Sequence, residues 1–180
     1  MTRTAEDSRA WVWWSAGASL GVAGIWLAAV MAGGHDPGNS GDRWGLGFGM
    51  AAALLGVLQF LYPLRRRTLA RPFGTAVRAL RFHLGSSTVM FVCVLAHQGT
   101  AWPSGWMGVA LLSLSGWAVV SGLAGRVIQR AVPPMLIRHT GTTRGLFLER
   151  VLRLWPFSHG PLGVGLLALV VWHVFAVLYY

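Results

Sequence analysis

Four of the six histidines fall into one pattern: His83 and His97 lie fourteen residues apart in one apolar stretch, and His159 and His173 lie fourteen apart in another. Fourteen residues of α-helix rise roughly 21 Å and turn about 1400°, so the second ring returns to within about 40° of the first. Both histidines of each pair therefore share one helix face. Inside an apolar segment an imidazole has no water to bond, and ionisable groups so placed are usually functional and partnered. Two such helices side by side offer two imidazole couples, one near each membrane surface. Opposed imidazoles are the axial ligands of a six-coordinate b-type haem. The spacing thus predicts two haem b groups as cofactors, with the four histidines as iron ligands.

The elements that must carry these rings are membrane helices. The 180 residues are 54% hydrophobic and only 11% charged, where a soluble domain of this size would carry a larger charged surface. Mean hydropathy is +0.55. Ten tryptophans suit the membrane interface, and twenty-four glycines let helices approach closely.

The net charge of +10 raises the question of nucleic acid, and its distribution answers it. Every basic residue other than histidine is arginine. Fourteen of the fifteen lie in the N-terminal tail, between Arg65 and Arg81, or between Arg126 and Arg153; only Arg43 lies elsewhere. With apolar spans between them, these clusters share one side of the membrane, which is the positive-inside asymmetry. Topology and anionic lipid headgroups account for the charge without nucleic acid. The single cysteine, Cys93, excludes a disulfide framework and a cysteine-rich metal cluster, and reads as core filler. No Cys-x-x-Cys-His sequence occurs, so haem would be held by coordination and packing alone.

In chain order, the expected architecture is a single all-α domain of five transmembrane helices, at about 11–32, 44–64, 80–98, 106–123 and 157–180. The first is read as a retained span, not a cleaved signal. Residues 33–43 form an exterior loop in which His35 reads as an exposed histidine, not a metal or quinone contact. Residues 68–80 form an interior connection. Residues 125–156 are too polar to span and too apolar for a free linker, so they are placed on the inner surface, broken at Pro133-Pro134, with an amphipathic helix near 146–154. His139 there reads as a surface histidine. Ser113, Ser115 and Ser121 read as helix-packing residues. The N-terminus is expected in the cytoplasm and the C-terminus outside, in the inner membrane of a bacterium.

One span separates the two histidine helices, so they cross in the same direction. His83 is then expected to meet His159 near the inner surface, and His97 to meet His173 near the outer one. Ser87 and Gly163, one turn inward from the inner pair, leave room for a porphyrin face. Arg78, Arg81 and Arg153 lie at the level of its propionates, where a guanidinium fork suits a carboxylate. The competing interpretation makes the four histidines interhelical hydrogen-bond partners, a role that does not require equal spacing on two parallel helices.

Ligand spacing and span order resemble the cytochrome b subunit of quinol–cytochrome c reductases. They also resemble the transmembrane domain shared by ferric reductases and NADPH oxidases, whose ligands likewise lie on the third and fifth spans. The resemblance implies a four-helix haem-binding core over about 44–180, the first span being an addition. It implies transmembrane electron transfer as the membrane subunit of a redox complex, with a periplasmic cytochrome c or iron–sulfur partner and a quinol or reductase subunit supplying donor and acceptor. The 180 residues include neither the sixth span usual in ferric reductases nor a flavin and nicotinamide domain. They also lack the Pro-Glu-Trp quinol-site sequence of bc-type cytochromes. A stand-alone quinol or ferric reductase, and a non-redox membrane anchor or metal permease, are the alternative functions.

Overall fold

The computed structural model describes residues 3–37, 39–67, 75–103, 105–138 and 141–179. All regular structure among them is α-helical: α1 (Arg3–Met31), α2 (Arg43–Leu58), α3 (Leu61–Arg67), α4 (Ala76–Gln98), α5 (Gly105–Arg138) and α6 (Thr143–Tyr179). Five helical segments are long and apolar enough to cross a membrane: Val12–Met31, Arg43–Arg65, Ala76–Gln98, Gly105–Ile128 and Thr143–Tyr179. Their outward faces carry large apolar side chains, among them Leu20, Met50, Phe157 and Leu178, each more than two-thirds exposed. Apolar surface on that scale belongs against lipid. The protein is an all-α membrane protein.

The chain divides into two compact units, Met1–Leu112 and Ser113–Tyr180. In the first, α4 packs against α1, α2 and α3. Its inward residues, Gly85, Val89, Met90, Cys93 and Ala96, recur at helical spacing and are buried. Val89, Met90 and Cys93 form a core with Ala52 of α2, flanked by Val22, Ala51, Leu55 and Val94. Between helices in lipid such contacts act through close packing, since lipid tails are as apolar as the core.

Polar residues mark the helix starts. Asp42 caps α2 by accepting from the Gly45 N–H at 2.7 Å, Thr75 caps α4 through the Arg78 N–H, and Thr142 caps α6 through the Gly145 N–H. α4 ends at Gly99, whose φ of 70° lies in the left-handed region. The next residue, Thr100, donates its N–H to the Pro37 carbonyl at 3.0 Å, tying the loop after α1 to the end of α4.

The second predicted span is interrupted. α2 stops at Leu58, and a turn through Gln59 and Phe60 leads into α3. Pro63, four residues beyond Gln59, has no N–H to offer the Gln59 carbonyl, so the helical ladder breaks there.

Within the stretch from 125 to 156, expected to break at Pro133-Pro134, α5 runs to Arg138 and α6 starts at Thr143. α5 continues through residues 133 and 134, and α6 contains both Pro156 and Pro161. The Arg, Leu and Glu content of this stretch favours helix propagation. Carbonyls freed by proline near the membrane surface can also turn to water. At 37 residues α6 is about 55 Å long, well beyond the roughly 30 Å hydrocarbon layer, so its arginine-bearing first turns extend past the apolar span.

Candidate functional site

His83 and His97 lie on the uninterrupted helix α4 and are half-buried. Each leans on a backbone carbonyl belonging to α2 or its end. His97 Nδ1 is 2.8 Å from the Gly45 carbonyl, and His83 Nδ1 is 3.2 Å from the Gln59 carbonyl. Gly45 and Gln59 are themselves fourteen residues apart, so the two helices run antiparallel in a register that offers an acceptor to each ring.

The local chemistry of the two acceptors differs. At the outer-type position, Gly49 makes the approach possible: a Cβ there would stand 2.9 Å from His97 Nδ1. A carbonyl only accepts, so the neutral His97 ring carries its proton on Nδ1 and its lone pair on Nε2. At the other position, the Gln59 carbonyl is available because Pro63 cannot claim it. Tyr62 of α3 packs against the His83 ring, with centroids 5.3 Å apart.

The Gln59 side chain adds a competing bond to His83. With its amide oxygen accepting from Ser86 Oγ (2.9 Å) and the Ser87 N–H (3.1 Å), its nitrogen donates to His83 Nδ1 at 2.8 Å and to the His83 carbonyl at 2.9 Å. This orientation satisfies both ends of the amide and leaves the His83 proton on Nε2. In the opposite orientation the nitrogen donates to Ser86 Oγ, and His83 Nδ1–H donates to the Gln59 carbonyl. One amide thus selects the His83 tautomer.

In the second unit, His159 and His173 lie on α6 and are half-buried. His159 Nδ1 is 2.8 Å from Ser121 Oγ of α5. The Ser121 hydroxyl also lies 3.2 Å from the Ala118 carbonyl; when its proton goes there, Nδ1 is the donor and the His159 lone pair falls on Nε2. Trp155, one turn earlier on α6, stacks on the His159 ring at 5.2 Å and donates its Nε1–H to the Ser121 carbonyl at 2.9 Å. Gly125 leaves space for that indole, since a Cβ there would overlap the Trp155 ring. Ser121, expected only to pack helices, is therefore a partner of both His159 and Trp155. Ser115 is buried as expected, whereas Ser113 is exposed.

Arg78 and Arg81 lie within two turns of His83, and Arg153 within two turns of His159, on other helix faces. At about 100° per residue, Arg81 sits roughly 160° round α4 from His83, and Arg78 roughly 140°. Arg78 is exposed and Arg81 half-buried. Arg153 is exposed and paired with Glu149 at 2.5 Å, one turn earlier on α6.

His35 departs from expectation. Instead of an exposed loop residue it is buried, packed against the rings of Trp26 and Phe48. Its Nδ1 is 2.7 Å from Asp42 Oδ2, which also accepts the Asp36 N–H at 2.9 Å. Nothing in the sequence separates a solvent-facing histidine from one folded back onto its loop. The available hint was Asp42 seven residues on, serving at once as helix cap and imidazole partner. The Gly45 N–H, then the His35 imidazole and the Asp36 N–H, hold the Asp42 carboxyl well below the usual carboxylate range.

Cys93 is buried in the α4 core as expected, and His139 lies outside the described residues. Among the described residues no three His, Cys, Asp or Glu side chains converge. A bis-imidazole haem iron draws on only two protein ligands. No family model matches the chain, and comparison with curated proteins and with solved structures finds no match.

Proposed function

We propose that the chain is the membrane cytochrome subunit of a redox complex, carrying electrons across the bilayer between two bis-histidine b-type haems. The observation that most supports this reading is the state of His97 and His159. His97 gives its Nδ1–H to the Gly45 carbonyl, and His159 Nδ1 meets the Ser121 hydroxyl, which can accept its proton while donating to the Ala118 carbonyl. That is the outer-shell arrangement that orients a ligating imidazole and keeps Nε2 basic. His83 joins the set when the Gln59 amide presents its oxygen, not its nitrogen, to Nδ1. Beside His159, a Cβ at Gly160 or Gly163 would have no atom within 4 Å, which suits a flat macrocycle against α6. The donor set therefore fits the group.

In this reading His83 and His159 hold the inner haem, and His97 and His173 the outer one, a pairing drawn from the parity of the spans in the sequence. A haem iron so held takes up and releases one electron. The chain's own part is to fix the imidazole planes through Gly45, Gln59 and Ser121, to exclude water with its apolar helices, and to offer Arg78, Arg81 and Arg153 to carboxylates at the inner surface. Donor and acceptor come from partners: a periplasmic cytochrome c or iron–sulfur protein outside, quinol or a reductase subunit inside. The arginine clusters put the N-terminus in the cytoplasm and the C-terminus outside a bacterial inner membrane.

The pyridine haemochrome of the purified protein tests this reading, with two haem b per chain expected. His97→Ala and His159→Ala should each halve that number by removing different haems. A preparation with no b-type α band ends the proposal. Reduction by quinol alone, without a partner protein, would move the reading to a stand-alone quinol reductase.

One observation favours a second, structural reading: His97 already joins α4 to α2, and His159 already joins α6 to α5, through Nδ1. In that case the rings are interhelical bonds worth about 1 kcal/mol each. Each alanine variant would then lower stability by that amount with no change in iron content.

A further inference from the structure

The loop between α1 and α2 carries a chain of hydrogen bonds that ends on His97. His35 Nδ1 meets Asp42 Oδ2 at 2.7 Å. Asp42 Oδ1 takes the Gly45 N–H at 2.7 Å, and the Gly45 carbonyl takes His97 Nδ1 at 2.8 Å. The loop is fastened again by Thr100 N–H to the Pro37 carbonyl, just past the end of α4. Gly45 is thus gripped on its N–H side by a carboxylate while its carbonyl faces the imidazole. A Cβ on Gly45 would collide with the Ser40 backbone, so the loop closes tightly over this residue.

The burial of His35 needs a reason. Its side chain is 1% exposed, and its Nε2 is buried with no hydrogen-bond partner among the described residues. A buried imidazole with an unsatisfied nitrogen is unfavourable unless its other nitrogen does something in return. Its Nδ1 bond completes the coordination of Asp42, whose oxygens accept from His35, Asp36 and Gly45. Trp26 and Phe48 wall the ring in so that it cannot swing away.

We infer that His35 and Asp42 are positioning residues for His97: the pair clamps Gly45, and Gly45 fixes the plane and tautomer of the imidazole. The inference rests on the reading of His97 as a haem ligand and names the device that seats it. Held ligands are set by such outer-shell partners as much as by the first bond. Asp42 also places a negative charge one hydrogen-bonded residue, Gly45, away from His97. Removing it should make the outer haem easier to reduce and leave the inner haem alone.

The test has two arms on the full-length protein in detergent. In the first, ring-15N-labelled histidine is followed by NMR in the wild type, Asp42→Asn and His35→Gln, with His97 assigned from the spectrum of His97→Gln. The wild type should show His97 protonated on Nδ1, and both variants should move it towards a mixture of tautomers. Asparagine still caps α2, so Asp42→Asn keeps the helix start while losing the acceptor for His35. A His97 signal unchanged in both variants overturns the inference. In the second arm, the haem-loaded protein is titrated potentiometrically. Asp42→Asn should raise the potential of the one haem that His97→Ala abolishes. Equal shifts of both haems, or of neither, also overturn it. If the protein binds no haem the functional reading fails, and the NMR arm alone then decides whether the clamp exists.

Discussion

His97 and His159 are seated by the same device built from different parts. In the first unit the acceptor is a backbone carbonyl, Gly45, and the residue one turn on, Gly49, clears space for the ring. In the second the acceptor is a side-chain hydroxyl, Ser121, and the residue one turn on, Gly125, clears space for the indole that stacks on the ring. A backbone acceptor cannot be lost to substitution, so its weak point is the gap beside it. A hydroxyl can be lost outright. The comparison teaches that a glycine one turn from an acceptor is the shared requirement, whereas the acceptor itself is replaceable.

The largest effect expected of this comparison is at Gly125. Gly125→Ala puts a methyl where the Trp155 ring lies, which should displace the indole and cost about 1–3 kcal/mol by overpacking. Thermal unfolding and the near-UV signal of tryptophan would read it. If the variant is as stable as the wild type with its indole signal intact, the second seat has been misdescribed. Gly49→Ala meets the Nδ1 edge of the His97 ring at 2.9 Å, less closely than Gly125→Ala meets the indole, so a smaller loss is expected, at the low end of the same range. It should loosen one haem and spare the other, which absorbance during haem titration can resolve.

Ser121→Ala comes next, with a loss of about 1 kcal/mol. It leaves the Trp155 bond to the backbone in place but frees His159 to change tautomer, visible in histidine 15N spectra. An unchanged His159 signal would show that the stacked indole alone seats the ring.

The smallest effect is confined to acid, at Asp42. Its carboxyl is depressed from an ordinary value of 3.8. A depressed carboxylate contributes stability that is fully present above its unfolded value and is lost as pH falls towards its folded one. Hydrogen exchange at the Asp36 and Gly45 amides should therefore be equally protected from neutrality to about pH 5 and progressively less so below the ordinary value. In Asp42→Asn the pH dependence should vanish. Protection in the wild type that does not change on acidification would mean the carboxylate is not what holds those amides.

Much of the fold was legible because membrane helices announce themselves by length and apolarity, and arginines mark where they stop. On α4, the spacing of His83 and His97 turns both rings towards carbonyls at Gln59 and Gly45. What sequence reading missed depended on partners brought in by packing. Pro63 is visible as a helix breaker, but that the carbonyl it releases would face His83 depends on the register of α2 against α4. Gly49 and Gly125 look like any of the twenty-four glycines until a ring is seen beside them. The break expected at Pro133-Pro134 is absent because α5 runs on through both positions. A helix can outlast the hydrocarbon layer wherever water receives its polar groups.

The shared fourteen-residue interval on α2 and α4 makes the first unit sensitive to length in an unusual way. One residue inserted between Gly45 and Gln59 would rotate half of α2 by about 100° and slide it by about 1.5 Å, so the two rings of α4 could no longer both find their acceptors. The same insertion beyond Arg65, in the stretch leading to α4, would leave both in step. Natural or engineered variants of this protein should therefore tolerate gain and loss of residues between Arg65 and the start of α4 and almost none between Gly45 and Gln59.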